Sequence, residues 1–533
     1  MSVLDSAVPA VSPYVVDSAA AADHAAAVDN AAAVGNAAAS TPHRRGPHGA
    51  WSAFTARREV SVGVRYLSTV GAGMLAFAPA LVANFEAALA GSPTTYLLFV
   101  PLWGVMIAFG LVTRARGREI GDGEFDRILV LVLGGALGLT ATLVVPRIPA
   151  VAAFWHADLI PLLIWVFAAS IVSFGIRRVV RSYLVWLFVL TCFPPNFLLL
   201  GQVLGGSTFA FGFLTLCLAL IVAYLSLRNR PRLALATAVA AGMVGFALVV
   251  ALQDTPALAY SVPAGVVTSM ALGARLLARR PARSSSGLPK QSIATLAAGW
   301  MVAVFILAFV PQAQNSVNIV APPTVGVSWL TQLRTLGIGI SVPQVFDWGP
   351  RAMGKGGDVR RYRLTPPWSA TAKNPVTAAY LDVYSTTDPG RFASYRRGLW
   401  YETVPPAVIA DTPSAAGDLH TQIGSISNTS EAVRTSDDAL WTGRFWGWRT
   451  PDAGGDRYTA FYLMAARDQT RPEDVPEPRL PSYTTAVVEP IGWLIRGGVD
   501  DDDEPVAGDT AVDAALTDLA WSMVDAGEQL PRR

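Results

Sequence analysis

The chain has 533 residues, of which 52% are hydrophobic and only 15% charged, with a formal net charge of +2. Soluble domains carry about a quarter of their residues charged, so a single water-soluble core is excluded. The small total hides two unlike halves: 21 Lys and Arg against 12 Asp and Glu up to residue 312, then 20 against 27 beyond it.

Residues 1–55 are dominated by Ala, with the near-repeat AAAVDN (25–30) and AAAVGN (31–36), and read as a disordered cytoplasmic tail. No Lys or Arg precedes Arg44 and Arg45, so the basic start of a secretory signal is missing and the first apolar span serves as the targeting signal.

Residues 56–312 form a multi-span transmembrane domain. Nine apolar segments lie at about 62–85, 95–113, 128–146, 159–176, 183–204, 208–227, 233–252, 260–278 and 291–312, each long enough for one tilted helix. Their connections alternate in charge. Arg114, Arg116, Arg118, Arg127, Arg177, Arg178, Arg181, Arg228, Arg230, Arg232, Arg275, Arg279, Arg280, Arg283 and Lys290 fall in every second connection, whereas the others contain only Arg147. Short loops rich in Lys and Arg stay cytoplasmic, which puts the N-terminus inside and everything beyond residue 312 outside. Acidic residues of this half keep to loops, against the buried ionisable groups of ion-coupled transporters.

Residues 313–533 read as an extracytoplasmic soluble domain. Alternating runs at 378–387 and 457–465 predict strands. After the acidic run Asp500 to Glu504, residues 511–526 place Val512, Leu516, Leu519 and Met523 at helical spacing, which predicts an amphipathic helix docked on the domain. The fold class is therefore an α-helical polytopic membrane protein of about nine transmembrane helices with a C-terminal α+β or β-rich domain.

Both cysteines, Cys192 and Cys217, sit in predicted spans, so no disulfide staples the outer domain. The run Cys192-Phe-Pro-Pro-Asn196 predicts a broken helix, because two prolines remove backbone donors. His156 and Asp158, with Arg147 nearby, form an acid and base cluster in an outer loop that reads equally as a membrane-interface anchor. Trp400, Tyr401, Trp441, Phe445, Trp446 and Trp448 offer a stacking platform or, by the commoner reading, core. No metal-ligand spacing or phosphate-binding loop occurs, and neither a cofactor nor nucleic-acid binding is expected.

Residues 95 to about 200 resemble the exosortase/archaeosortase family, actinobacterial type. The resemblance is carried by YLLFVPLW (96–103), by IGDGEFDRIL (120–129) with Asp122 and Asp126, by FWHADLIPL (154–162), by FGIRRVVR (174–181) with Phe174, Gly175, Arg177 and Arg181, and by WLFVLTCFPPNFLL (186–199). It implies a bacterial plasma-membrane protein of protein sorting or cell-envelope assembly, working in the bilayer with an exported protein or an envelope-assembly membrane protein as partner. The family's transpeptidases use Cys in a Cys-Ser-Gly context, then Arg and His. Here neither Cys192 nor Cys217 is followed by Ser-Gly, and no histidine follows Cys217 until His420. The expectation is thus a catalytically degenerate scaffold or partner subunit. The alternatives are an active cysteine transpeptidase drawing on Cys192, Cys217, His156, Asp158 or Arg147, and a lipid-linked glycosyltransferase with Glu86 in the first outer loop.

Overall fold

The computed structural model describes residues 62–112, 128–130, 132–136, 149–278, 293–309, 324–325, 329–367, 375–395, 400–401, 410–412, 421, 423–427, 440–452, 455–495 and 509–528. The Ala-rich tail, Asp122, Asp126, Arg147, the basic connection 113–127 and most of the connection 275–290 lie outside them.

The first half is a helical bundle: α1 (Val62–Ala76), α2 (Ala78–Leu89), α3 (Val100–Val112), α4 (Pro149–Trp155), α5 (Ile160–Phe174), α6 (Ile176–Arg181), α7 (Tyr183–Thr191), α8 (Pro194–Val203), α9 (Thr208–Ser226), α10 (Pro231–Ala251), α11 (Pro256–Leu277) and α12 (Ile293–Phe309). Four helical stretches, Ala157–Phe174, α9, α10 and α11, are long and apolar enough to cross a membrane, or six spans if two bent pairs each count as one. The nine apolar segments therefore do not each become one straight helix. Residues 62–85 bend by 82° between α1 and α2, where Pro79 starts the second helix. The stretch 183–204 breaks by 52° between α7 and α8, because Pro194 and Pro195 can open a helix but not continue one. Residues 95–113 give a 3₁₀ turn (Pro93–Leu98) and then α3, whose 13 residues span only about 20 Å.

The second half is built on one antiparallel sheet. Its strands are β1 (Gly339–Ile340), β2 (Gln344–Val345), β3 (Asp358–Thr365), β4 (Ala379–Thr386), β5 (Ala410–Thr412), β6 (Ile423–Ser427), β7 (Trp441–Asp452) and β8 (Gly455–Ala466), in the order β1-β3-β4-β8-β7-β6-β5 with β2 also on β3. The helices α13 (Trp329–Thr335), α14 (Gly349–Met353), α15 (Pro389–Tyr395), α16 (Glu489–Ile495) and α17 (Asp509–Glu528) accompany it. Both runs expected to be strands are strands, β4 and β8, and the amphipathic C-terminal helix is α17.

Strand periodicity explains how this sheet is used twice. On β8, Phe461, Leu463 and Ala465 join Val512, Leu516, Leu519 and Met523 of α17 in one core. The alternate residues Ala460, Tyr462, Met464 and Ala466 join a second core that continues into the bundle through Tyr96, Phe154, Phe211 and Tyr260. Side chains one residue apart on a strand point to opposite faces, so a strand covered on both sides must be apolar throughout. The tryptophans follow the same rule: Trp400, Trp441, Trp446 and Trp448 are at most 2% exposed. They are core, not a stacking platform.

Candidate functional site

Two polar constructions and one cavity stand out. The first construction fastens the sheet domain to the bundle. Arg391, on α15 and 2% exposed, donates to the carbonyl oxygens of Gly206 (2.5 Å) and Ala352 (3.1 Å), and its Nε donates to Asp388 at 3.2 Å. Its guanidinium also lies 5.0 Å from the centre of the Phe211 ring on α9. Gly206 has φ +65°, and a Cβ there would fall 1.8 Å from the Arg351 carbonyl oxygen, so only glycine lets the two backbones meet. Nearby, Gln202 donates to the Tyr395 hydroxyl, and Trp155 Nε1 donates to the Ala486 carbonyl at 2.7 Å. Burial pushes the Tyr395 hydroxyl up to about 12.

The second construction is inside the sheet domain. Arg361 on β3 forks onto Asp382 on β4 through two 2.7 Å hydrogen bonds and donates to the Pro476 carbonyl at 2.6 Å. The Tyr401 hydroxyl donates to the same carboxylate at 2.8 Å and accepts from Tyr384 at 3.2 Å. Asp382 is fully buried; desolvation pushes its carboxyl upward while Arg361 and Tyr401 hold it down. Both oxygens of this carboxylate are engaged, which makes it a structural cross-link between neighbouring strands.

The cavity lies among α1, α3, α5 and α7 and has a volume of about 210 Å³. Its lining on α5 runs from Ile160 to Phe174, about 21 Å at the helical rise. Val, Leu, Ile and Phe dominate the walls. One end holds Trp155, His156, Cys192 and Phe193; the other holds Phe174, Arg178, Tyr66 and Ser182. The T-shaped contact of Trp155 with Phe193, centroids 5.8 Å apart, brings their chain neighbours His156 and Cys192 to one end.

His156 is the strained point of this end. It alone among the described non-glycine residues has a positive φ, at 49°, in the turn that joins α4 to the 3₁₀ turn Ala157–Leu159. It is 1% exposed, and neither ring nitrogen has a hydrogen-bond partner among the described residues. Left-handed backbone and an unsatisfied buried imidazole are both costly, and such strain gathers at functional sites.

The residues predicted from sequence are thus partly united. Cys192 and His156 share the cavity end. Asp158 is buried beside it and accepts from Asn84 Nδ2 at 3.3 Å. Cys192 sits at the α7–α8 break, where its carbonyl accepts from Tyr96 Oη at 2.9 Å. Cys217 is on α9 and does not line the cavity. Phe174 stacks on Tyr66 at 4.3 Å and Gly175, φ +80°, ends α5, while Arg177 and Arg181 are exposed. Glu86 is exposed on α2 and does not line the cavity. Among the described residues no group of three or more His, Cys, Asp and Glu could hold a metal ion. Sequence reasoning missed Arg178 as a cavity residue and Arg391 as the fastening. Arg178 carried one available signal, its place four residues after Phe174 on the buried side of a basic turn.

No family model matches the chain, and no curated protein or solved structure matches it.

Proposed function

We propose that this chain is an exosortase/archaeosortase-like integral membrane protein of the bacterial plasma membrane, acting in protein sorting or cell-envelope assembly as a scaffold or partner subunit. Its bundle spans the bilayer with the basic connections in the cytoplasm, and its sheet domain stands on the outer side. The observation that carries this reading is the continuous core between bundle and sheet domain, fastened by Arg391 on the Gly206 carbonyl. A domain fixed to its bundle in this way presents a surface at constant height and orientation above the membrane, which suits holding a partner. The charge of the connections supports the orientation.

The experiment is double substitution of Cys192 and Cys217 by Ala in cells, with processing of exported proteins as the readout. Unchanged processing, together with lost processing when Gly206→Val unfastens the domain, is the expected pair of results. Loss on removing the thiols alone would favour the second reading, an active cysteine transpeptidase, for which the shared cavity end of Cys192 and His156 is the specific support. A reporter fused after residue 320 that proved cytoplasmic would overturn the orientation.

A further inference from the structure

The cavity has an ionic end that the scaffold role does not use. Arg178 lines it, is 8% exposed, and has the Tyr66 hydroxyl as its hydrogen-bonding neighbour. Among the described residues no carboxylate pairs with it. Facing the cavity, the guanidinium offers a permanently charged planar fork of donors that suits phosphate. Arg177 and Arg181 on the same turn add positive potential outside the mouth.

Beyond Arg178 the walls are apolar for about 21 Å apart from the hydroxyls of Thr69 and Ser170. The volume of about 210 Å³ leaves room for roughly 14 to 21 groups the size of a water or a methylene, so the groove holds the phosphate-proximal stretch of one chain and the rest of a longer chain leaves through the side opening. Met74 and Leu190 line the cavity yet are 42% and 61% exposed, so it opens sideways through the bundle surface. One leaflet of a bilayer contributes about 15 Å of hydrocarbon, so a chain confined to its own leaflet would leave the His156 end empty.

We propose that this groove binds an isoprenoid monophosphate, its phosphate held by Arg178, Tyr66 and Ser182 and its single long chain running toward His156. The lipid enters from the side, and the permanent charge of Arg178 selects phosphate over hydroxyl. The inference rests on the membrane-spanning reading of the bundle and is independent of the sorting assignment.

The test uses the full chain, purified in detergent and titrated with undecaprenyl phosphate, undecaprenol and phosphatidylglycerol by native mass spectrometry. Undecaprenyl phosphate should bind at least tenfold more tightly than either other lipid. Arg178→Gln should lower its affinity about tenfold toward that of undecaprenol. Gly104→Leu, which fills the middle of the groove where a Cβ meets only Val185 at 4.0 Å, should weaken both isoprenoids while leaving Arg178 in place. Equal binding of phosphate and alcohol by the parent protein, tighter binding of phosphatidylglycerol, or an affinity unchanged in Gly104→Leu would each overturn the proposal. Should Arg178→Gln fail to fold, Gly104→Leu and the lipid comparison decide it alone.

Discussion

The bundle and the sheet domain are both rich in apolar side chains but spend them differently. On the bundle, Leu187, Leu190, Val203 and Phe305 are all more than half exposed. In the sheet domain, β4 and the stretch of β8 from Thr459 to Ala466 bury nearly everything, since one face meets α17 and the other meets the bundle. An exposed leucine on a helix that crosses a bilayer keeps an apolar surrounding, whereas an exposed leucine on an aqueous domain does not. Under the membrane-spanning reading proposed above, the same composition serves two solvents; in either case the sheet obtains its second apolar cover from the bundle.

Substitutions can break this contrast, and all are measured as thermal or urea unfolding of the detergent-purified protein followed by tryptophan fluorescence. The largest effect belongs to Asp382→Ala, which strands the Arg361 guanidinium inside the sheet domain and should cost about 3–5 kcal/mol. Leu516→Ala opens a void between α17 and the sheet and should cost about 3 kcal/mol. A smaller loss, about 1–3 kcal/mol, is expected for Gly206→Ala, with cleavage by added protease now separating sheet domain from bundle. Leu187→Ala, on the exposed surface of α7, should stay within about 0.5 kcal/mol. A loss there as large as for Leu516→Ala would show that α7 packs against another element instead of lipid or detergent.

Alkaline pH separates the regions in another way. The Tyr395 hydroxyl stays protonated in the folded protein to about pH 12, whereas an unfolded tyrosine ionises near 10. The folded state thus binds the extra proton, and its stabilising contribution is full below pH 10 and lost as pH rises from 10 to 12. Burial raises Tyr384 and Tyr401 in the same direction. The melting temperature should therefore be flat up to pH 10 and fall beyond it, with a shallower fall in Tyr395→Phe.

The strands and α17 were legible because two-residue and four-residue periodicities are local properties of the chain, as in Phe461, Leu463 and Ala465 or Val512 and Leu516. The break at Cys192-Phe-Pro-Pro was legible for the same reason. Hydropathy could not reveal which spans would shorten or bend, since an 82° turn at Phe77 depends on the neighbours that α2 finds. Convergence of His156 with Cys192, and the reach of Arg391 to Gly206 across 185 residues, depend on how helices and domain pack. Arg178 looked like one more loop cation until packing placed it inside.

The double cover of the sheet sets an order of assembly. The bundle precedes the strands in the chain, so one sheet face can be covered as soon as the strands pair. Val325, Leu333 and Ile338 contribute to the other face early, but helix α17 follows all eight strands, so its share of the cover over Trp446, Trp448 and Phe461 is missing until residue 509 and beyond have left the ribosome and packed on the sheet. During that interval a newly made sheet offers a tryptophan-lined apolar surface to any chaperone or neighbouring chain, and the arrival of the last helix closes it.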